Sequence, residues 1–339
     1  MGGVGAPYRR RRWRRRGKSL SPPGGGGPDD SAQVLEGDKA KEQLREEQRE
    51  TTSRRKLEQS DGFEEMSPEV GELDIEATEH ALSEDTDVAL SLLADMANAT
   101  DVTLRALAQQ MAARVVLDLA ATTGTTTRGI GRMRSLPMTE AGGDLDIEAS
   151  MDALLSARAS GTPPPVDELM ARTWTRPDAA FVVLIDRSGS MTGDRVATAA
   201  VAAAAAAQRA DTDYGIIAFS DKAIVVKAIG EPRPVEDVVN DVLRLRGFGP
   251  TDLSLALRTA AAQLSRSMAS RRRVILLSDC RPTAGSEPEL AAGGLEDVGI
   301  LAPADDCEDA ADLAMAIGAR WAPLAGPTDV PAAFAAVSR

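Results

Sequence analysis

From residue 177 onward, short apolar runs alternate with stretches long enough to be helices. Phe181 to Ile185 is unbroken apolar sequence leading straight into Asp186. Such a run reads as a strand buried on both faces, as in a parallel sheet. The pattern predicts strands over 179–186, 214–219, 223–229, 273–278 and 298–302, with a short one near 320–324. Helices are predicted over 192–210, 234–245, 252–267, 306–318 and 329–337. Strands alternating with helices give an α/β class fold, a doubly wound, mostly parallel sheet. The 214–219 and 223–229 runs, joined by Ser220-Asp221-Lys222, read as a hairpin, which makes one edge strand antiparallel.

Upstream the period changes. Leu90, Leu92, Leu93 and Met96, then Leu104, Leu107, Met111, Val115 and Val116, recur at helical spacings, with Asp101 as the N-cap of the second helix. This small helical unit is expected to pack on the later domain rather than stand alone. Residues 38–60 are almost wholly polar with no apolar stripe, and read as disordered or as a fraying helix. The pattern therefore divides into a basic, then charged, disordered tail (1–64), a helical region and linker (65–176), and the main domain (177–339). The linker ends in Gly161-Thr-Pro-Pro-Pro165. Residues 71–82 (GELDIEATEHAL) are echoed at 143–154 (GDLDIEASMDAL), an acidic capping stretch before a helix in both places.

Composition narrows the function. The net charge of −13 argues against nucleic-acid binding by the molecule as a whole, although Arg9 to Arg16 form a local basic tract suited to RNA, DNA or an anionic membrane. A disordered basic tail, or a start codon assigned too far upstream, is the preferred reading of that tract. Only Cys280 and Cys307 occur, too few for a disulfide framework, and a single histidine, His80, excludes a His-based metal site or a Ser-His-Asp triad in one chain. No signal peptide or membrane span is visible, so a soluble, cytoplasmic protein is expected. The Gly- and Thr-rich stretch 122–137 carries Arg128, Arg132 and Arg134 but lacks phosphate-loop spacing. An ATPase is therefore not expected. Those three arginines are candidate partner contacts, or part of an ordinary solvated loop.

The candidate chemistry lies in three segments. Asp186-x-Ser188-x-Ser190 follows the first buried strand; Gly247-Phe-Gly-Pro-Thr251-Asp252 is a Gly-rich loop; and Val274 to Ser278 is another apolar strand ending in Asp279. Carboxylates and hydroxyls are hard oxygen donors, suited to Mg²⁺ or Mn²⁺ rather than zinc or copper. Open α/β sheets place ligands at this end of their strands.

These segments resemble the metal-ion-dependent adhesion site of von Willebrand factor A domains, in order and spacing, over roughly 177–339. The resemblance implies that Ser188 and Ser190 ligate Mg²⁺ directly and Thr251 directly or through water. Asp186 and Asp279 would act largely through bound water. Cys280 stands where many relatives have Gly, and Pro250 where Gly often precedes the threonine. Few protein charges touch such an ion, which leaves a position open for a partner's carboxylate. The implied function is a non-catalytic, metal-gated protein-binding module, because no general base or second metal for hydrolysis is evident. A metal-dependent hydrolase and a nucleic-acid-associated protein using the Arg tract are the alternatives. The lead from RGIGRMRSLP to the metal motif is similar to bacterial cytoplasmic CoxE-like proteins and those paired with MoxR-type AAA+ ATPases. It is more distantly similar to the magnesium chelatase component that also carries an acidic or Pro-rich lead into such a domain. That similarity implies an adaptor between an ATPase and a client protein, in metal-cofactor insertion or enzyme maturation.

Overall fold

The computed structural model of the chain describes residues 34–123, 132–139, 144–175, 179–187, 193–210, 213–247 and 249–338. Its first element is a two-residue strand, β1 (Val34–Leu35), followed by helices α1 (Asp38–Glu47), α2 (Arg54–Leu57) and α3 (Phe63–Met66). The disorder expected up to residue 64 therefore does not extend over 34–64. Ala40, Leu44 and Glu47 form a narrow buried stripe on α1, and Leu57 and Phe63 are also buried. Such a stripe, one residue wide and ending in an acid, falls below what apolar periodicity detects. The Arg9 to Arg16 tract lies outside the described residues.

Helices α4 (Ile75–Glu84), α5 (Thr86–Met96) and α6 (Val102–Thr123) follow. Each starts on an aspartate. Asp74 accepts the N–H of Ala77 at 3.0 Å, Asp85 those of Asp87 and Val88, and Asp101 those of Thr103 and Leu104 at 2.9 and 2.8 Å. In the echo at 143–154 Asp146 accepts the N–H of Ala149 in the same way, but there the bond closes a turn, and α7 begins only at Met151. Strands β2 (Arg132–Pro137) and β3 (Asp144–Leu145), helix α7 (Met151–Ser160) and strand β4 (Met170–Thr175) come next. The three strands form an antiparallel sheet in the order β2-β4-β3. Arg132 and Arg134 thus stand on strand β2 rather than in a loop; Arg128 lies outside the described residues.

The main sheet is built from β5 (Ala179–Asp186), β6 (Tyr214–Phe219), β7 (Ala223–Lys227), β8 (Arg271–Leu277), β9 (Asp297–Pro303) and β10 (Arg320–Leu324). Helices α8 (Gly193–Ala210), α9 (Val235–Leu243), α10 (Leu253–Leu264), α11 (Pro288–Ala292), α12 (Glu308–Ile317) and α13 (Val330–Val337) connect and flank them. The order is β1-β7-β6-β5-β8-β9-β10, parallel except between β6 and β7. The hairpin is as expected, but β7 is not the edge strand: β1 pairs alongside it, Val34 with Ala223 and Leu35 with Ile224.

Odd-numbered β5 residues (Phe181, Val183, Ile185) enter one core with α5, α6, α8, α9 and α13, and even-numbered ones (Val182, Leu184) enter another with α10 and α12. This is the two-residue period of a strand buried on both sides. The helical unit packs on α8 as expected. The approach is close: a Cβ at Gly193 would lie 2.1 Å from the carbonyl oxygen of Ser91 on α5, so only glycine fits. Among the described residues no helix is long and apolar enough to cross a membrane.

Candidate metal centre

β5 and β8 are neighbours whose register pairs Ile185 with Leu277, so Asp186 and Ser278 emerge side by side at the C-terminal edge. The Ser278 hydroxyl donates to Asp186 Oδ2 at 2.5 Å and accepts the N–H of Cys280 at 2.9 Å. The half-buried Asp279 accepts the N–H of Arg281 at 3.1 Å through Oδ1. The backbone turns sharply between these bonds, because Cys280 has φ of 60°, the left-handed region rarely entered by a residue with a Cβ. Holding a cysteine there costs a local strain of roughly 1–3 kcal/mol. Burial, then the Asp186 and Asp279 carboxylates, push the Cys280 thiol up to about 12.

Thr251, 2% exposed, is gripped by the loop that follows β8. Its N–H donates to Thr283 Oγ1 at 2.8 Å, and its carbonyl accepts the N–H groups of Thr283 and Ala284 at 3.0 and 3.1 Å. Next to it, Asp252 caps α10 by accepting the N–H of Leu255, and its own N–H reaches the carbonyl of Ser220 after β6. The Thr251 loop is thus tied to the ends of both β6 and β8.

Beside Asp186 and Asp279 opens a cavity of about 390 Å³, floored by Ile185, Leu277 and Leu301. Asp194, in the first turn of α8, and Asp305 also line it. Burial raises the Asp194 carboxyl above the usual aspartate range, and Asp87 and Asp305 add to this against the pull of Arg195.

Asp186, at the end of β5, and Thr251 and Asp279, on loops, therefore all lie at one end of the sheet, and Ser188 and Ser190 lie outside the described residues. The donors present are hard oxygens, and the ordered Asp186–Ser278 pair fits a divalent cation held by carboxylate and hydroxyl groups. Among the described residues no group of three or more His, Cys, Asp or Glu side chains is arranged as a metal cage. Two contributors escaped the sequence reading. Ser278 sits one residue before the candidate Asp279, its only signal being a hydroxyl at the end of a buried strand. Arg187, inside the DxSxS motif, is 1% exposed and ion-paired to Glu47 at 2.5 Å. No local pattern announces a partner 140 residues away.

No curated protein matches the chain. Among solved structures, proximal thread matrix protein 1 from the mussel byssus is similar at 14% identity and a TM-score of 0.39, over 48% of this chain and 47% of that one. Manganese-loaded TRAP protein from Plasmodium vivax is similar at 13% identity and 0.40, over 47% and 73%. A von Willebrand factor type A structure from Catenulispora acidiphila is similar at 17% and 0.38, over 49% and 42%. The chain thus spans about half the length of the first of these and less of the third. Residues 181–282, from the first buried strand to just past Asp279, match the family model of the von Willebrand factor type A domain.

Proposed function

We propose that the C-terminal edge of the sheet holds a divalent cation, Mg²⁺ or Mn²⁺, and binds a partner protein through it without catalysis. The observation that carries this reading is the Asp186–Ser278 hydrogen bond, which holds one acid in place at the strand end beside Asp279. Asp186, Ser188, Ser190, Thr251 and Asp279 would hold the ion. When bound, it supplies a localised positive charge able to accept a partner's carboxylate. The chain's own part is positioning. Ser278 orients the Asp186 carboxylate, the left-handed turn at Cys280 sets the backbone that follows Asp279, and Thr283 fixes the backbone of Thr251.

The partner we propose is an AAA+ ATPase of MoxR type, with a client protein whose metal cofactor or maturation depends on the pair, in the cytoplasm. This identity rests on the resemblance of the lead into the metal motif to CoxE-like proteins, and Arg128, Arg132 and Arg134 are the candidate secondary contacts. The test is capture of partners by the tagged chain, with and without EDTA, beside Ser188→Ala/Ser190→Ala. Loss of the same partner under EDTA and in the variant is expected. Equal retention in every condition would remove the metal from the account, and a captured set without an ATPase would remove the MoxR partnership.

A further inference from the structure

The N-terminal segment 34–50 runs along the sheet domain and is fastened to it repeatedly. β1 extends the sheet at β7. Glu36 pairs with Arg266 at the end of α10, with one contact at 2.8 Å, and accepts from Gln263. Ala40 and Leu44 enter the main core. The Glu50 carbonyl accepts from Arg246 at 2.9 Å. One of these fastenings reaches the candidate metal centre. Glu47 Oε2 receives Arg187 Nη1 at 2.5 Å, and Glu47 Oε1 receives Gln43 Nε2 at 2.8 Å.

Both charged partners are buried, Glu47 at 8% and Arg187 at 1% exposed. Taking such a pair out of water is costly, so it adds little net stability, while removing one partner leaves the other charge buried and uncompensated. What the pair fixes here is the residue between Asp186 and Ser188. The alternation along β5 explains how. Odd positions face the core that contains α1, so Arg187 reaches Glu47 from that side, while Asp186 faces the opposite layer and meets Ser278. The Arg187 N–H also donates to the Phe219 carbonyl at 3.0 Å. Backbone and side chain of Arg187 are both anchored where the chain leaves β5.

We propose that Arg187 is a positioning residue for the metal-binding edge and that Glu47 on α1 is its anchor. The N-terminal segment, outside the family-matched stretch, is thereby part of the site. The inference rests on the metal-binding reading above and adds the element that sets its geometry.

The experiment compares Mn²⁺ affinity by calorimetry for the full chain, Glu47→Gln, Glu36→Gln and Ser188→Ala/Ser190→Ala. Amide hydrogen exchange at Asp186 and Arg187, measured without metal, is the second readout. Outer contacts that orient ligands typically change metal affinity by about 10–100-fold, and a loss in that range is expected for Glu47→Gln together with faster exchange. Glu36→Gln loosens the same segment at its exposed pair and is expected to leave both readouts unchanged. No Mn²⁺ binding by the unaltered chain overturns the metal reading, and this inference with it. Binding by the unaltered chain and equally by folded Glu47→Gln overturns only the inference. If Glu47→Gln does not fold, Glu47→Asp, which keeps the charge and shortens the arm, is read in its place. Weaker binding then supports the anchor and unchanged binding overturns it.

Discussion

The two faces of the main sheet are covered in different ways. On one, α10, α11 and α12 form a single layer, and α12 buries Ala310, Leu313 and Ala314 while Met315 is 74% exposed. On the other, α8 lies against the sheet and is itself covered by α5 and α6, with α9 and α13 beside it. Residues 199–206 of α8 are all buried, seven of them alanine. A helix enclosed on every side has no polar face, and only small side chains let that many neighbours approach its backbone at once. Alanine also has the highest intrinsic helix propensity. A two-deep face makes the N-terminal helices structural members of the sheet domain, whereas the one-deep face leaves its helices free to vary on the outside.

The sharpest way to break this contrast is to place the same charge on both helices. Ala203→Glu puts a carboxylate at a position with no exposure, with no cation shown to meet it. Loss of cooperative folding is expected, read by thermal melting and circular dichroism. The next largest effect tests the outer layer. Phe63 is fully buried beneath the Arg54 guanidinium, 5.1 Å from its ring centre. Phe63→Ala is expected to cost about 3–5 kcal/mol in a single transition. Two separate transitions in urea would show the outer helices to be an independent unit.

A smaller effect is electrostatic. Asp95 lies on α5 where it meets α8 and accepts the N–H of Gly193; burial nonetheless raises its carboxyl above the usual aspartate range. With the folded pKa raised, its contribution to stability is full at pH below the unfolded value and is lost as pH rises through the folded one. Asp95→Asn is therefore expected to gain stability relative to the unaltered chain between mildly acidic and neutral pH, read from urea midpoints. A difference independent of pH would contradict the burial of that charge. Smallest of all is Met315→Glu on the outside of α12. Within about 0.5 kcal/mol of the unaltered chain is expected, and a larger loss would mean that the one-deep face is covered after all.

The same contrast explains what the sequence made legible. Strands β5, β6 and β8 each carry an apolar run (181–185, 214–219 and 274–277), and such runs announce themselves; the longer helices between them were located to within a few residues. α1 was not, because its buried stripe is two apolar residues and Glu47, whose carboxylate is met by Gln43 one turn earlier and by the charge of Arg187, far along the chain. β1 is two residues long and owes its existence to the open edge of β7. At the candidate site, Asp186, Thr251 and Asp279 were visible because acids and hydroxyls stand at the ends of buried strands and in Gly-rich loops. The left-handed turn at Cys280 and the hydroxyl of Ser278 depend on bonds between loops, which no linear pattern shows.

The central claim is that three loops at one sheet edge hold a divalent cation through oxygen donors. Calorimetric titration of the folded chain with Mn²⁺, beside Asp186→Asn, Thr251→Ala and Asp279→Asn, tests it most directly. The account predicts a single saturable site that Mg²⁺ displaces and that each substitution weakens while circular dichroism stays unchanged. Absence of saturable binding by the unaltered chain, or equal binding by all three folded variants, would contradict it.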